Sequence, residues 1–484
     1  MYFKGRTVFA FVLLTMFATA LVSLTVADQI IKPNEPAAVS AASVQPGRSY
    51  KLAEEELGKL NAVLELIETK YYEEIDRGEL LDGAVSGMMD ALHDPYSVYM
   101  EKETAEHFSE SIEGSFTGIG AEVSMESGKI VVVSPIKGSP AERSGLLAKD
   151  ILLSVNGEKL DGLSLQEAVN KIRGPKGTKA KLMVQRSGFA EPIQLVLIRD
   201  DIDIETVYAS LRPDGIGLIE IRQFAMNTAD RFKEELERLE SEGMKGLVLD
   251  VRNNPGGVLP VVIEIAQLML PEGAKVVQVE DRDGNREETL AKGGERKKYP
   301  IAVLTNGGSA SASEILAGAL QEAAGAKVVG EKTFGKGTVQ VSYNKALGDG
   351  SLVKMTIAKW LTPNGNWIHE KGITPDIEVS PPEMYTAARL SLQETLKRDD
   401  LSERVRSAQI MLEGLGYEPQ RKDGYYSEET EQAVKRFQEA SGLPASGEID
   451  VKTAETLEGA VIKWIQNKEN DVQLVEAIKA ASRK

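Results

Sequence analysis

The sequence contains no cysteine, and this absence excludes disulfide bonds, thiolate nucleophiles and cysteine-ligated metal sites. Histidine is scarce as well. The three histidines, His93, His107 and His369, are far apart and form neither an HExxH nor an HxH motif. A structural zinc site is therefore not expected.

Negative charge exceeds positive charge, with 74 aspartates and glutamates against 57 lysines and arginines. The formal net charge is −17, and no concentrated basic patch occurs outside short runs such as "ERKKY", so the chain lacks the surface that neutralises nucleic-acid phosphates. Nucleic acid is not an expected partner. At 484 residues, the chain is long enough for two to four domains with separate cores.

The amino terminus is the longest apolar run. Lys4 and Arg6 precede an uncharged stretch of about twenty residues, long enough to span a bilayer. Residues 1–27 are therefore predicted to be a signal peptide or signal anchor, with the chain after residue 28 exported. The small, polar residues 28–49 follow as a predicted linker that tethers the protein to the outer side of the membrane or the cell-wall space.

Changes in hydrophobic periodicity divide the rest of the chain. Helical spacing is followed by short strands with glycine turns, then by repeated strand, turn and helix, and finally by short helices. The predicted limits are 50–112 for a helical N-terminal region, 113–200 for the glycine-turn domain, 201–385 for an α/β core, 386–400 for a linker, 401–460 for a three-helix domain and 461–484 for a helical tail.

The glycine-turn region resembles a bacterial PDZ domain over nearly its whole length. The landmarks "SPAERSGL", "KDILLSVNG" and "SLQEAVNKIRG" occur in order. The resemblance implies that an extended peptide adds as a strand and that its terminal carboxylate binds backbone N–H groups. The loop for that role is Thr117-Gly118-Ile119-Gly120, and Arg173 after the helix is either a reporter of peptide occupancy or a solvated side chain.

The three-helix region is similar to a peptidoglycan-binding domain. "LEGLGY", "DGYYSEETEQAVKRFQ" and "GEIDVKTAETL" carry the resemblance, although the last turn departs from the usual glycine pattern. The resemblance implies peptidoglycan as a partner. A helical interaction module of another purpose is the alternative.

The stretch "TNGGSASASE", residues 305–314, carries the candidate chemistry. Ser311 and Glu314 have the spacing of a helix capping box, which leaves Ser309 between a strand and the helix start, where an oxyanion would be stabilised. Neither a G-x-S-x-G elbow nor an S-x-x-K motif is present. A serine nucleophile would then need a buried lysine as its base.

The glycine-flanked Lys336 in "VGEKTFGKGTVQVSY" is the candidate base, although a lone lysine in such a turn is more often solvated. Phe334 is expected to exclude water from it. Gln340 is expected to point away from Val339 and Val341 and to orient the lysine nitrogen.

Taken together, "TNGGSASASE", "GEKTFGKGTVQ", the upstream "DVRNNPGG" and the PDZ-like domain closely resemble the C-terminal processing peptidases, or tail-specific proteases, over roughly residues 60–385. The resemblance implies a multidomain α/β protein with a crotonase-like protease core and an inserted PDZ domain. It implies that Ser309 is the nucleophile, Lys336 the general base and Gln340 its orienting partner. The implied oxyanion donors are the N–H groups of Gly257 and Ala310, and no metal or other cofactor is required.

The sequence thus predicts an exported serine endopeptidase that binds the carboxyl-terminal tails of protein or peptide substrates. The alternatives are a non-catalytic cell-wall adaptor and an acyl-CoA enzyme on the crotonase-like fold, but an adaptor has no use for a complete serine, lysine and glutamine set. The apolar amino terminus makes the membrane a further expected partner. The sequence does not decide whether the protein forms a homo-oligomer.

Overall fold

The computed structural model describes residues 51–187, 189, 191–390 and 394–482. The predicted signal or anchor segment 1–27 and the predicted linker 28–49 lie outside them. The chain divides into two compact units, Met1–Gly83 and Ala84–Lys484. Among the described residues, no helix is both long and apolar enough to cross a membrane.

Helices occupy most of the region that follows the predicted linker. Three glutamates fill the first turn of the first helix, where negative charge complements the helix dipole. The third helix ends at Gly114, whose left-handed φ of 71° stops the chain. The elements are α1 (Glu54–Lys70), α2 (Arg77–Asp90), β1 (Val98–Met100) and α3 (Lys102–Glu113).

The PDZ-like region is an antiparallel sheet closed by two helices. Its strands follow the order β3-β4-β5-β7-β8, with β6 beside β5, while β2 and β9 pair at the point where the module enters and leaves the rest of the chain. Its elements are β2 (Ser115–Gly118), β3 (Ala121–Glu126), β4 (Lys129–Pro135), α4 (Pro140–Arg143), β5 (Ile151–Val155), β6 (Glu158–Lys159), α5 (Leu165–Ile172), β7 (Lys179–Gln185), β8 (Ile193–Ile198) and β9 (Asp200–Asp203).

The α/β core contains a six-stranded sheet of order β10-β11-β12-β15-β16-β19, in which only β10 is antiparallel to its neighbour among the described strands. A second sheet joins β1, β18, β13 and β14, with β17 beside β18. The elements are β10 (Val207–Leu211), β11 (Ile216–Ile221), α6 (Thr228–Ser241), β12 (Gly246–Asp250), α7 (Leu259–Met269), β13 (Lys275–Asp281), β14 (Arg286–Leu290), β15 (Ile301–Thr305), α8 (Ala312–Ala319), a π-helical turn (Leu320–Ala324), β16 (Lys327–Gly330), β17 (Thr338–Tyr343), β18 (Leu352–Leu361) and β19 (Ile377–Glu378).

The carboxyl-terminal region forms helices whose starts are capped by Ser402, Ser427 and Asp450, each accepting a backbone N–H from the first turn. Tyr426 and Phe437 are buried in their shared core. The elements are a 3-10 turn (Glu383–Thr386), α9 (Glu403–Gly414), α10 (Glu428–Ala440), α11 (Val451–Gln466), a 3-10 turn (Lys468–Asn470) and α12 (Val472–Ser482). The predicted multidomain fold class is confirmed.

Both faces of the six-stranded sheet are covered, as its apolar strands require. Alternation along β12 sends Leu247 and Leu249 into the large core with α6, α7 and α8, and Val248 into a smaller cluster on the opposite face. In that cluster, Leu474 and Ala477 of α12 cover the sheet. The helix that follows the peptidoglycan-binding-like domain therefore belongs to the protease core, where the sequence predicted only a helical tail.

Replacement of Gly246 by alanine tests this packing. A Cβ at Gly246 would lie 2.1 Å from the carbonyl oxygen of Ala481 in α12, so the helix must shift. We expect G246A to destabilise the protein by about 1–3 kcal/mol, seen as a lower urea midpoint of unfolding. In α11, a Cβ at Gly459 meets nothing within 4 Å, so G459A is the control and should unfold at or above the wild-type midpoint. A wild-type midpoint for G246A would contradict the close packing of α12.

Candidate active site

Two turns lie together at one edge of the six-stranded sheet. β12 and β15 are parallel neighbours, with Asp250 opposite Leu304, so the turns that follow them emerge side by side. The first turn is "VRNNPGG" and the second is "NGGSAS". Ligand and catalytic groups commonly lie at this carboxyl edge in α/β sheets.

Ser309 is fully buried in the second turn. Its Oγ donates a hydrogen bond to the carbonyl oxygen of Val251 at 2.8 Å and accepts one from the N–H of Asn306 at 3.0 Å. Helix α8 begins three residues later, after Ser311, which has a φ of 54°. The structure thus places Ser309 in the predicted turn, with its hydroxyl held by the neighbouring one.

Glu314 joins this turn to the lysine loop. Its buried carboxylate accepts the N–H of Ser311 at 2.8 Å, which is the glutamate half of the predicted capping box. It also accepts the hydroxyl of Thr333 at 2.6 Å and the N–H groups of Gly335 and Lys336 at 2.6 and 2.8 Å. A buried carboxylate is tolerated because four donors satisfy it. The spacing of Ser311 and Glu314 predicts the cap alone, and no local pattern indicates this second role of Glu314.

Lys336 is partly buried beneath an aromatic ring. Its Nζ lies 4.9 Å from the ring centroid of Tyr96. Burial, followed by the positive charge of Lys354, lowers the pKa of Lys336 to about 8, against the opposing pull of Asp94 and Glu314. A neutral amine is therefore accessible near neutral pH.

Phe334 was predicted to exclude water from the lysine, but the residue is itself 55% exposed. Tyr96 covers Lys336 instead. It belongs to the segment "DPYS", residues 94–97, in which the aspartate-proline pair indicates a turn. The only sequence signal for Tyr96 was that an aromatic residue occurs in a turn. The neighbouring residues in the sequence do not indicate its tertiary contacts.

Gln340 lies on β17 beside two threonines. Its Nε2 donates to the Oγ1 atoms of Thr338 and Thr356 at 2.9 and 3.1 Å. Within the described part of the chain, no hydrogen bond joins Gln340 to Lys336 or Ser309 to Lys336. The structure brings the lysine loop to the serine turn but does not align the three side chains.

The N–H groups of the two predicted oxyanion donors differ in whether they already make a hydrogen bond. The N–H of Ala310 donates to the carbonyl oxygen of Asn254 at 3.0 Å. No acceptor occurs among the described residues for the N–H of Gly257. Gly257 has a φ of 149°, and a Cβ there would lie 2.2 Å from the carbonyl oxygen of Phe224, so only glycine fits.

The predicted carboxylate loop begins in β2, where Thr117 and Gly118 pair with β9. The carbonyl oxygens of Ile119 and Gly120 accept the N–H groups of Ala141 and Ile136. Their own N–H groups have no acceptor in the described chain. The loop therefore presents two buried donors of the kind a carboxylate binds.

Arg173 lies near this loop and is not merely solvated. Its guanidinium donates to the carboxylate of Glu110 at 2.5 Å, lies 3.1 Å from His107 Nδ1 and stacks over Phe116 with 5.0 Å to the ring centroid. No group of three or more histidine, aspartate or glutamate side chains within the described ranges converges as a metal site.

Comparison with protein-family models gives four matches along the chain. Residues 215–379 match peptidase family S41, 18–104 the N-terminal domain of the activating protease CtpB, 131–186 a PDZ domain and 402–457 a peptidoglycan binding domain.

The chain is similar to curated proteases over most of its length. The carboxy-terminal processing protease CtpB of Bacillus subtilis (strain 168) is 46% identical over 427 residues, 88% of each chain. The carboxy-terminal processing protease CtpA of the same organism is 40% identical over 443 residues, 91% of this chain and 93% of the relative. A solved photosystem II D1 C-terminal processing protease is 28% identical, with a TM-score of 0.40 over 68% of this chain and 94% of its own.

The match to peptidase family S41 and the two Bacillus relatives support a protease over the non-catalytic adaptor. The peptidoglycan-binding match and the two Bacillus relatives point to a location outside the cytoplasm. The chain belongs to the carboxy-terminal processing proteases of peptidase family S41, and it is a serine protease with a PDZ domain.

Proposed function

We propose that this protein cleaves the tails of protein substrates with a Ser–Lys dyad, in which Ser309 is the nucleophile and Lys336 the general base. One observation carries the proposal. Lys336 is a partly buried lysine with a pKa lowered to about 8, and its loop is hydrogen-bonded to the turn of the buried Ser309. A nucleophile needs such a base close to it.

The backbone brings the two loops into contact. The N–H of Phe334 donates to the carbonyl oxygen of Ser309 at 3.0 Å, and Glu314 binds both Ser311 and Lys336. Because these bonds use main-chain groups of the two loops and the Glu314 carboxylate, they fix the loops without using the side chain of Ser309 or Lys336. The lysine nitrogen is thus free to turn toward the serine hydroxyl.

The lowered pKa makes the lysine a usable base. At pH 7.5, a lysine with a pKa of about 8 is neutral in roughly a quarter of the molecules, against roughly one in a thousand at the ordinary value. Burial supplies most of this effect, and the charge of Lys354 adds to it. Lys354 is itself half-buried on β18.

The reaction begins when the Ser309 hydroxyl turns from Val251 to the neutral amine of Lys336. The amine accepts the proton, and the serine oxygen attacks the carbonyl carbon of the substrate. The ammonium then protonates the leaving amine as the peptide bond breaks. A water molecule, deprotonated by Lys336, releases the acyl group and restores Ser309.

Charge on the substrate oxygen needs donors that are in place during this reaction. The Gly257 N–H lacks an acceptor among the described residues, whereas the Ala310 N–H must first leave the carbonyl oxygen of Asn254. Gln340 is proposed to orient the lysine once its side-chain amide breaks its hydrogen bond to one of the two threonines and forms one to Lys336.

Substrate tails are proposed to dock on the PDZ domain through the loop Thr117–Gly120. The free N–H groups of Ile119 and Gly120 are suited to a terminal carboxylate, and Arg173 lies beside the loop. The proposal also keeps the predicted domain limits. These are 113–200 for the PDZ domain, 201–385 for the core and 401–460 for the peptidoglycan-binding domain.

The proposed setting is the outer side of the cytoplasmic membrane. The uncharged residues 7–27 would export the chain or anchor it, and the domain at 401–460 would hold it on peptidoglycan. Protein tails exposed in that space are the proposed substrates.

Substitution of the dyad is the direct test. We expect S309A and K336A each to lower kcat on an unfolded protein with an apolar carboxyl terminus by at least about 10³-fold, because each removes a partner of the same step. K371A, an exposed lysine of the same region, is the control and should keep wild-type activity. Equal cleavage by wild type and both dyad variants would rule out the dyad.

The activity should rise with pH. The dyad needs neutral Lys336, so kcat should increase through a pH of about 8 and then level off. Lys354→Gln removes the charge that lowers the pKa of Lys336, and the rising limb should move to higher pH. The measurement is kcat from pH 6 to 10 for both proteins. A limb that K354Q does not move would contradict this electrostatic account.

Amidation of the substrate terminus tests the PDZ loop. An amide loses the charge that strengthens hydrogen bonds to Ile119 and Gly120, so kcat/KM should fall by about 10- to 100-fold. The same substrate with an acetylated amino terminus is the control and should be cleaved at the unmodified rate. If amidation had no effect, the loop would not bind the terminal carboxylate.

A further inference from the structure

A buried ion-pair cluster surrounds Arg252, in the turn next to the one that holds Ser309. The guanidinium of Arg252 contacts the carboxylate of Asp250 at 2.6 Å and that of Asp471 at 2.8 and 3.1 Å. It also donates to the side-chain oxygen of Gln473 at 3.0 Å. At most about a fifth of each charged side chain is exposed, so water screens these contacts weakly.

Arg252 lies within the turn that contacts the nucleophile. The preceding residue, Val251, accepts the Ser309 hydroxyl, and Asn254, two residues later, accepts the N–H of Ala310. Asn253 between them has a φ of 56°, which an asparagine tolerates better than most residues. The turn is therefore irregular, and a side-chain anchor determines where its carbonyl groups point.

Two carboxylates hold that anchor. Burial alone would lower the pKa of Arg252, but Asp250 and Asp471 outweigh it and hold the pKa above its ordinary value. Asp250 is the last residue of β12, directly before the turn that contains Arg252. Asp471 is the partner that ties the turn to another part of the protein.

Asp471 is itself fixed from the carboxyl-terminal side. It follows the 3-10 turn after α11, and its Oδ1 accepts the N–H of Leu474 at the start of α12. Gln473 donates to the carbonyl oxygen of Val379 at 2.7 Å, and α12 packs on the six-stranded sheet. The anchor is thus rigid and is contributed by the segment after the peptidoglycan-binding domain.

We propose that Asp471 is a positioning residue for peptide hydrolysis, acting through Arg252 to place the Val251–Asn254 turn against Ser309 and Ala310. The proposal rests on the proposed role of Ser309. Asp471 touches neither the substrate nor the reacting atoms. Its effect should therefore fall on kcat rather than on substrate binding.

Asp471 also caps α12, and a purely structural role would be explained by the cap alone. Two substitutions separate the roles. D471N and D471S both keep an oxygen that caps the helix, but neither keeps the negative charge that pairs with Arg252. We expect each to lower kcat by about 10- to 100-fold, with KM within about twofold of wild type.

The experiment uses the full chain and measures kcat, KM and the rate at which a fluorophosphonate labels the active-site serine. The labelling rate should fall with kcat in both Asp471 variants. E240Q is the matched control, because Glu240 pairs with Lys297 and Tyr299 away from the turn, and it should keep wild-type kcat. In an R252Q background, D471N should cause no further loss, since the effect passes through Arg252.

The outcomes separate the two proposals. Wild-type kcat and labelling in D471N and D471S would overturn the positioning role, as would a loss in D471N that is equally large in the R252Q background. Undiminished cleavage and labelling in S309A would instead overturn the role of Ser309. Reduced unfolding stability of D471N and D471S with unchanged kcat would assign Asp471 to the fold alone.

Discussion

The carboxylate of Glu314 is the interaction on which the active site depends. It is fully buried and accepts donors from both sides of the site, Ser311 on one turn and Thr333, Gly335 and Lys336 on the other. A buried charge without partners would be strongly unfavourable, so the four donors and the carboxylate require one another. The serine turn and the lysine loop are consequently held together by the Glu314 carboxylate, the Thr333 hydroxyl and backbone N–H groups, and none of these bonds uses the side chains of Ser309 or Lys336.

This arrangement needs a sheet that is fixed on both faces. α6, α7 and α8 cover one face and α12 covers the other, so the edge from which the catalytic turns emerge cannot bend freely. The last helix reaches its face only after the chain has passed through the peptidoglycan-binding domain. In the sequence, that domain therefore lies between two segments of the protease core. Residues that follow it, such as Asp471, can lie beside the turn that contains Arg252.

The sequence predicted the features that depend on neighbouring residues. The serine turn, the start of α8 and the glycine-flanked lysine follow from local spacing, and the PDZ and peptidoglycan-binding domains follow from ordered landmarks. The contacts around Lys336 could not be predicted from the local sequence. Tyr96 and Asp471 approach the site from far along the chain, and no local pattern indicates the neighbours of such residues. The predicted place of Gln340 depended on simple strand alternation, but the register of β17 shifts between Val339 and Gln340.

The same turn restrains Ser309, the proposed nucleophile, and Ala310, a proposed oxyanion donor. Val251 accepts the Ser309 hydroxyl, and Asn254 accepts the N–H of Ala310, so both groups are bonded to carbonyl oxygens of residues three positions apart in the sequence. A small movement of this turn would release the two groups together, whereas movement of the serine alone would free only the hydroxyl. Because Arg252 lies between Val251 and Asn254 and is held by Asp471, the position of the turn depends on the segment that leads into α12. In the proposed mechanism, the binding energy of a docked tail would act on one element, which already contacts both the proposed nucleophile and the proposed oxyanion donor Ala310.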